Sequence, residues 1–146
     1  MGKRRLVKKV AEEVQIKTEA KLSKEKIKKC KGVKEGRIYI NCTYNNTTFH
    51  LTDLKGNLIY WTSAGKVGFS GTKRGTGFAA TVALQEMISA IKQLGLEKIE
   101  IYIKGIGAGR ASVLKVLATT DLNIDLIKDV TPIPHDGPRP PKVRRV

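Results

Sequence analysis

Gly105-Ile-Gly107-Ala-Gly109-Arg110 comes nearest, in residue types and spacing, to a ligand cradle. Glycines bare their backbone amides, a helix predicted directly behind them adds the positive end of its dipole, and Arg110 adds a full charge; together these suit an anion. Asp125 lies twenty residues beyond Gly105, which completes most of a dinucleotide-binding fingerprint. Against that reading, the spacing is G-x-G-x-G where the fingerprint has G-x-G-x-x-G. The preceding predicted strand is also the fourth in the chain, and the residues that follow are too few for a substrate domain. The segment reads as a cradle for an RNA phosphate or as a tight turn, with a nucleotide cofactor third.

Other residues offer binding rather than catalysis. Lys66, Lys73 and Arg74 stand in residues 63–77 beside Gly65, Gly68, Gly71, Gly75 and Gly77. Glycine lets a ligand approach the backbone closely, so these cations are either phosphate contacts or solvated loop charges. Asn45 and Asn46 are turn formers first, with side-chain amides able to bond a base or sugar edge. At the C-terminus, all five prolines of the chain (Pro132, Pro134, Pro138, Pro140 and Pro141) stiffen a stem that carries Arg139, Lys142, Arg144 and Arg145. Proline forbids helix and central strand there, so the stem is extended and suited to run along a polyanion. Cys30, Cys42, His50 and His135 make two Cys and two His, but their order and spacing match no zinc site. No Ser/His/Asp, Cys/His or paired-carboxylate arrangement can be assembled. The expectation is therefore no enzyme, no metal, no cofactor and no small-molecule substrate.

Composition points the same way. In 146 residues, 28 Lys and Arg face 13 acids, for a net charge of +15 and a pI near 10.0. Such a charge selects nucleic acid or anionic membrane as partner. No apolar run approaches the roughly 20 residues of a spanning helix, and the lysines are spread over several elements, so membrane is set aside. Two cysteines are too few for a disulfide framework.

These residues need elements to position them. Residues 1–36 lack aromatics, are dense in lysine, and read as a basic extension, with a helix over Val7–Lys29 that would form on a partner. From Arg37, Ile38, Ile40 and Cys42 alternate with polar residues as a strand; the Asn45-Asn46 turn, a return strand Thr47–Thr52 and a strand Leu58–Thr62 complete an antiparallel meander. Thr76 caps a helix from Gly77 to Leu94, whose buried face holds Ala79, Ala83, Met87, Ala90, Ile91 and Leu94, and Gly95 stops it. Lys98–Lys104 is a strand, Arg110–Ala118 a short helix and Asn123–Lys128 a final strand, a crossover with parallel strands. Trp61, Tyr39 and Tyr60 fall in strands and read as core or sheet face. The fold class is α/β: a mixed five-stranded sheet, an antiparallel meander plus a parallel strand-helix-strand unit, with two main helices and basic N- and C-terminal extensions. The division is an extension at 1–36, an α/β domain, read as RNA-binding, at 37–130 and a proline-rich basic tail at 131–146.

Several segments together resemble the S-eleven family of small-subunit ribosomal proteins. They are Tyr44-Asn-Asn-Thr47, Ser63-Ala-Gly65, Gly68-Phe-x-Gly71, Phe78-Ala-Ala80, Lys104-Gly-x-Gly-x-Gly-Arg110, Asp129-Val-Thr-Pro-Ile-Pro-His135, Arg139-Pro-Pro-Lys142 and Arg144-Arg-Val146. The likeness covers residues 37–146 in unbroken order. It implies a structural protein that binds small-subunit rRNA at the platform, near the rRNA 3′ end and the messenger path, beside neighbouring platform proteins. Carried over, the RNA contacts fall on Asn45, Asn46, Lys73, Arg74, Gly105 to Arg110, His135 and the tail cations. By its residues alone His135 is a hydrogen-bonded loop histidine. Some positions depart from the family pattern. Ser70 stands for the usual arginine, Gly77 for a proline, Ile106 and Ala108 for frequent prolines, Asp136 and Pro138 for Asn and Cys, and Val143 for a lysine. These losses of charge, with a Lys- and Ile-rich composition, point to an organelle ribosome, mitochondrial first, with the bacterial cytoplasm as the other expectation. Two rival functions stay open at this point: a nucleotide-binding enzyme using Gly105–Gly109, and a free-standing RNA chaperone.

Overall fold

The computed structural model describes residues 33–139. The helix expected over 7–29, Cys30, Lys142, Arg144 and Arg145 lie outside the described residues.

Alternating apolar positions build the sheet. Strands β1 (Glu35–Cys42), β2 (Thr47–Thr52) and β3 (Leu58–Ser63) form the meander, followed by β4 (Lys98–Gly105) and β5 (Ile124–Asp129). Their order in the sheet is β3-β2-β1-β4-β5. β1 is antiparallel to β2 and parallel to β4, β2 is antiparallel to β3, and β4 is parallel to β5. The expected mixed five-stranded sheet is the observed one, and β1, first of the described strands, lies at its centre.

Period-two alternation sends Ile38, Ile40, Cys42, Phe49, Leu51, Ile99, Ile101 and Ile103 to one face, where each is at most 2% exposed. Helix α1 (Gly77–Leu94) covers that face with Ala79, Ala80, Ala83, Leu84, Met87, Ile88 and Ile91. The run of alanines lets the helix backbone approach the sheet closely, and each isoleucine so buried contributes roughly 1.5–3 kcal/mol. Thr76 accepts a hydrogen bond from the Ala79 N–H, and Gly95 closes the other end in the left-handed conformation, φ 72°. Helix α2 (Gly109–Ala118) adds Val113 and Leu117 to the same core. No described helix or loop covers the opposite face of the sheet, where Tyr39 and Trp61 are exposed. Trp61, His50, Tyr39, Tyr102 and Lys128 follow one another across all five strands by register, and Tyr39 and Tyr102 stack at 5.1 Å between ring centroids. Tyr39 and Trp61 thus belong to a sheet face, whereas Tyr60 turns toward α1.

The glycine-rich stretch expected as one long loop is partly ordered by a 3₁₀ turn at Gly71–Gly75, too short for periodicity to reveal. Among the described residues no helix is long and apolar enough to cross a membrane.

Candidate nucleic-acid interface

Chain direction decides which loops meet. β1, β3, β4 and β5 all finish at one end of the sheet, where β2 begins and where both helices start. That end therefore gathers the 43–46 turn, the 64–76 loop, the 106–108 loop and the root of the C-terminal tail.

Glycine makes the convergence possible. A methyl at Gly75 would collide with the Tyr44 carbonyl oxygen, one at Gly107 with the Thr43 carbonyl, and one at Gly105 with the Cys42 carbonyl. Gly105 also has φ 98°, a conformation that side-chain-bearing residues avoid. Gly109 packs on Thr47 and Ala80 in the same way. The Gly107 N–H donates to the Cys42 carbonyl at 3.0 Å and the Gly105 N–H to the Thr131 hydroxyl at 3.1 Å. These amides are committed internally, so the glycines serve close packing of the loop against β1, not a bare pyrophosphate cradle. The 43–46 turn is closed by its own bonds: Thr43 donates its N–H and its hydroxyl to the Asn46 carbonyl, both at 2.9 Å. Asn45 stands exposed on it, and Asn46 Oδ1 is buried without a hydrogen-bond partner among the described residues.

The expected cations divide into two kinds. Lys73 and Arg74 project from the 3₁₀ turn, exposed, beside the Tyr44–Asn45 backbone. Arg139 and His135 are exposed in the tail, which bends where Asp136 takes φ 52°. Lys66 is engaged within the fold. Its Nζ donates to the Trp61 carbonyl at 2.7 Å and to Tyr60 Oη at 3.3 Å, lies 4.4 Å from the Tyr60 ring centroid, and pairs with Glu86 at 3.8 Å. Glu86, 6% exposed, also accepts from the Tyr60 and Thr62 hydroxyls, each at 2.7 Å. Burial, then the bond to this carboxylate, raises the Tyr60 phenol well above its usual range. Arg110 is likewise engaged: it donates to the Gly105 carbonyl at 3.1 Å and to Asp129 Oδ2 at 2.5 Å.

Apolar side chains at this end escaped the sequence reading. Tyr44 is 74% exposed, Ile106 65%, and Phe78, edge-on to Phe69 at 5.9 Å, 58%. Their signal was an aromatic inside a turn and an isoleucine between glycines, positions with no core side to face.

Charge is divided between the ends. Lys73, Arg74, Lys104, Lys128 and Arg139 gather at the loop end, where Asp129 is taken by Arg110. Glu35, Asp53, Glu97, Asp121 and Asp125 lie at the other end, interspersed with lysines and in part paired, as in Lys34–Glu97 at 3.4 Å and Lys98–Glu35 at 3.8 Å. Among the described residues, a polyanion meets attraction at one end and near neutrality at the other.

Comparison with known proteins returns one family. The model of ribosomal protein S11 matches residues 36–145. Among relatives, a small ribosomal subunit protein uS11 of Caldicellulosiruptor saccharolyticus is 50% identical over 116 residues, covering 80% of this chain and 89% of its own. One from Chlamydia trachomatis is 44% identical over 131 residues, 90% of this chain and 99% of its own. One from Treponema pallidum is 43% identical over 122 residues, 84% and 97%. A match of 131 residues cannot fit within 37–146, so the likeness runs further into the N-terminal segment than the motifs alone indicated. All three relatives are bacterial and lend no support to the mitochondrial expectation.

Proposed function

This chain belongs to the ribosomal protein S11 family and is a structural, non-enzymatic component of the small ribosomal subunit, and we propose that it holds rRNA at the loop end of its sheet. The observation that carries this reading is the convergence there of exposed cations, both helix N-termini and the basic tail, away from the acids of the opposite end. Lys73, Arg74, Arg139, Lys142, Arg144 and Arg145 neutralise phosphates and release counterions. Asn45, Asn46 and His135 bond sugar or base edges. Tyr44 and Ile106 supply stacking and apolar contact with splayed bases. Gly105, Gly107 and Gly109 contribute by keeping the loop low enough for the RNA backbone to reach it. Specificity then comes from the shape of folded RNA, since phosphate contacts position but do not read sequence.

The finer placement, at the platform near the rRNA 3′ end and messenger path beside other platform proteins, belongs to the same proposal. So does a bacterial cytoplasmic ribosome, which the bacterial relatives favour. The division into an extension at 1–36, a domain at 37–130 and a tail from 131 is part of it too, with the observed sheet starting slightly earlier, at Glu35. The nucleotide-binding alternative is not favoured, because the amides it would need are already bonded to Cys42 and Thr131.

Sucrose-gradient sedimentation of native lysate, at low and raised salt with this chain followed by mass spectrometry, tests the proposal. Co-migration with the small subunit that withstands the salt is expected. Release to the top of the gradient at modest salt would show that the tail and loops are not embedded in RNA.

A further inference from the structure

The tail does not simply begin where β5 stops. Val130 donates its N–H to the Ile103 carbonyl at 2.8 Å, holding the chain to β4 one residue beyond the strand. Asp129 Oδ1 accepts from the Thr131 N–H at 2.9 Å and from its hydroxyl at 2.6 Å. The Thr131 oxygen in turn accepts from the Gly105 N–H at 3.1 Å and from Arg110 Nη1 at 3.4 Å. Arg110 closes the ring on Asp129 Oδ2 and on the Gly105 carbonyl. One guanidinium thus ties the start of α2, the end of β4 and the root of the tail together. The planar fork serves these three acceptors from two nitrogens in a fixed geometry that a lysine ammonium, a single point charge on a flexible stem, does not reproduce. Pro132 follows directly, and residues 132–139 are all exposed, so among the described residues the root is what aims them. In a proline-stiffened stem, a direction fixed at the root persists for several residues.

We propose that Arg110, with Asp129 and Thr131, is a positioning device that aims the C-terminal tail at RNA, and is not itself a phosphate ligand. The proposal rests on the reading of the tail as an RNA contact. It predicts a sign that electrostatics alone reverses. Asp129→Asn removes a negative charge beside the interface and frees Arg110, so if Arg110 were a phosphate ligand held back by its partner, binding would tighten. If the network aims the tail, binding weakens.

The test measures affinity of the full chain for a platform fragment of small-subunit rRNA across a range of salt, with thermal melting as the check on folding. Arg110→Lys, Asp129→Asn and Thr131→Ala, the last changing no charge, are each expected to weaken binding roughly three- to tenfold. In a chain whose Arg139, Lys142, Arg144 and Arg145 are replaced by Gln, the same substitutions are expected to have no further effect. Tighter binding by Asp129→Asn, or losses that add in full to those of the neutralised tail, would overturn the positioning role. If instead the tail-neutralised chain binds as well as the native one, the tail reading itself fails, whatever the three variants do.

Discussion

At the scale of single residues, glycine lets the segments at the loop end of the sheet pack closely together. Gly105 and Gly107 lie on carbonyl oxygens of Cys42 and Thr43 with no room for a methyl, so Gly107→Ala is expected to lower stability by about 1–3 kcal/mol, read by urea unfolding. Ile106→Ala, between them and exposed, should stay within about 0.5 kcal/mol on the same measurement. A second expectation concerns Asp129, whose carboxyl is held well below the usual range first by Arg110 and then by Thr131. A depressed folded value means stabilisation that is full above the unfolded carboxylate value of about 4 and lost as pH falls below it. Hydrogen exchange at the Thr131 and Gly105 amides should therefore be unchanged from pH 7 down to about pH 4.5, once corrected for intrinsic rates, and rise below pH 4. Exchange that rises already between pH 7 and 5 would remove Asp129 as the hub. The sequence made these residues conspicuous without saying what each does. Gly-x-Gly-x-Gly looked like a ligand cradle because spacing reports where backbone is bare, not what it is pressed against. Composition likewise could not show that Glu86 lies within reach of Lys66 and Asp129 within reach of Arg110.

Secondary-structure elements were the most legible level. The helix Gly77–Leu94 has the bounds that Thr76, the 3.6-residue apolar stripe and Gly95 dictate, and the central strands β1 and β4 alternate cleanly because the helices cover one face of the sheet. Short pieces without a period were not legible: the 3₁₀ turn at Gly71–Gly75 and the strand order, which depends on β4 choosing the free edge of β1. The cap at Thr76 joins the two levels, since it orders both the end of the 3₁₀ turn and the start of α1 through bonds to the Lys73 carbonyl and the Ala79 N–H. Thr76→Ala is expected to cost about 1 kcal/mol. Because Lys73 and Arg74 hang from the same turn, it should also weaken rRNA binding at unchanged net charge. Loss of stability without loss of affinity would detach the turn from the interface.

At the scale of the whole molecule, strand direction polarises the charge of the described residues. Four strands that finish at one end, and two helices that start there and run back, put the loops, the helix N-termini and the root of the tail at that end, and leave Glu35, Asp53, Glu97, Asp121 and Asp125 at the other. A net charge of +15 foretold a nucleic-acid partner, but its distribution could be read only once the strand directions were known. Ultraviolet cross-linking of native small subunits, followed by mapping of the protein–RNA adducts, measures that polarity directly. The adducts are predicted on Tyr44, Lys73, Arg74, Ile106 and the tail. Adducts confined to the Asp53–Asn57 turn, to residues 95–97 and to residues 119–123, with none at the loop end, would contradict the account.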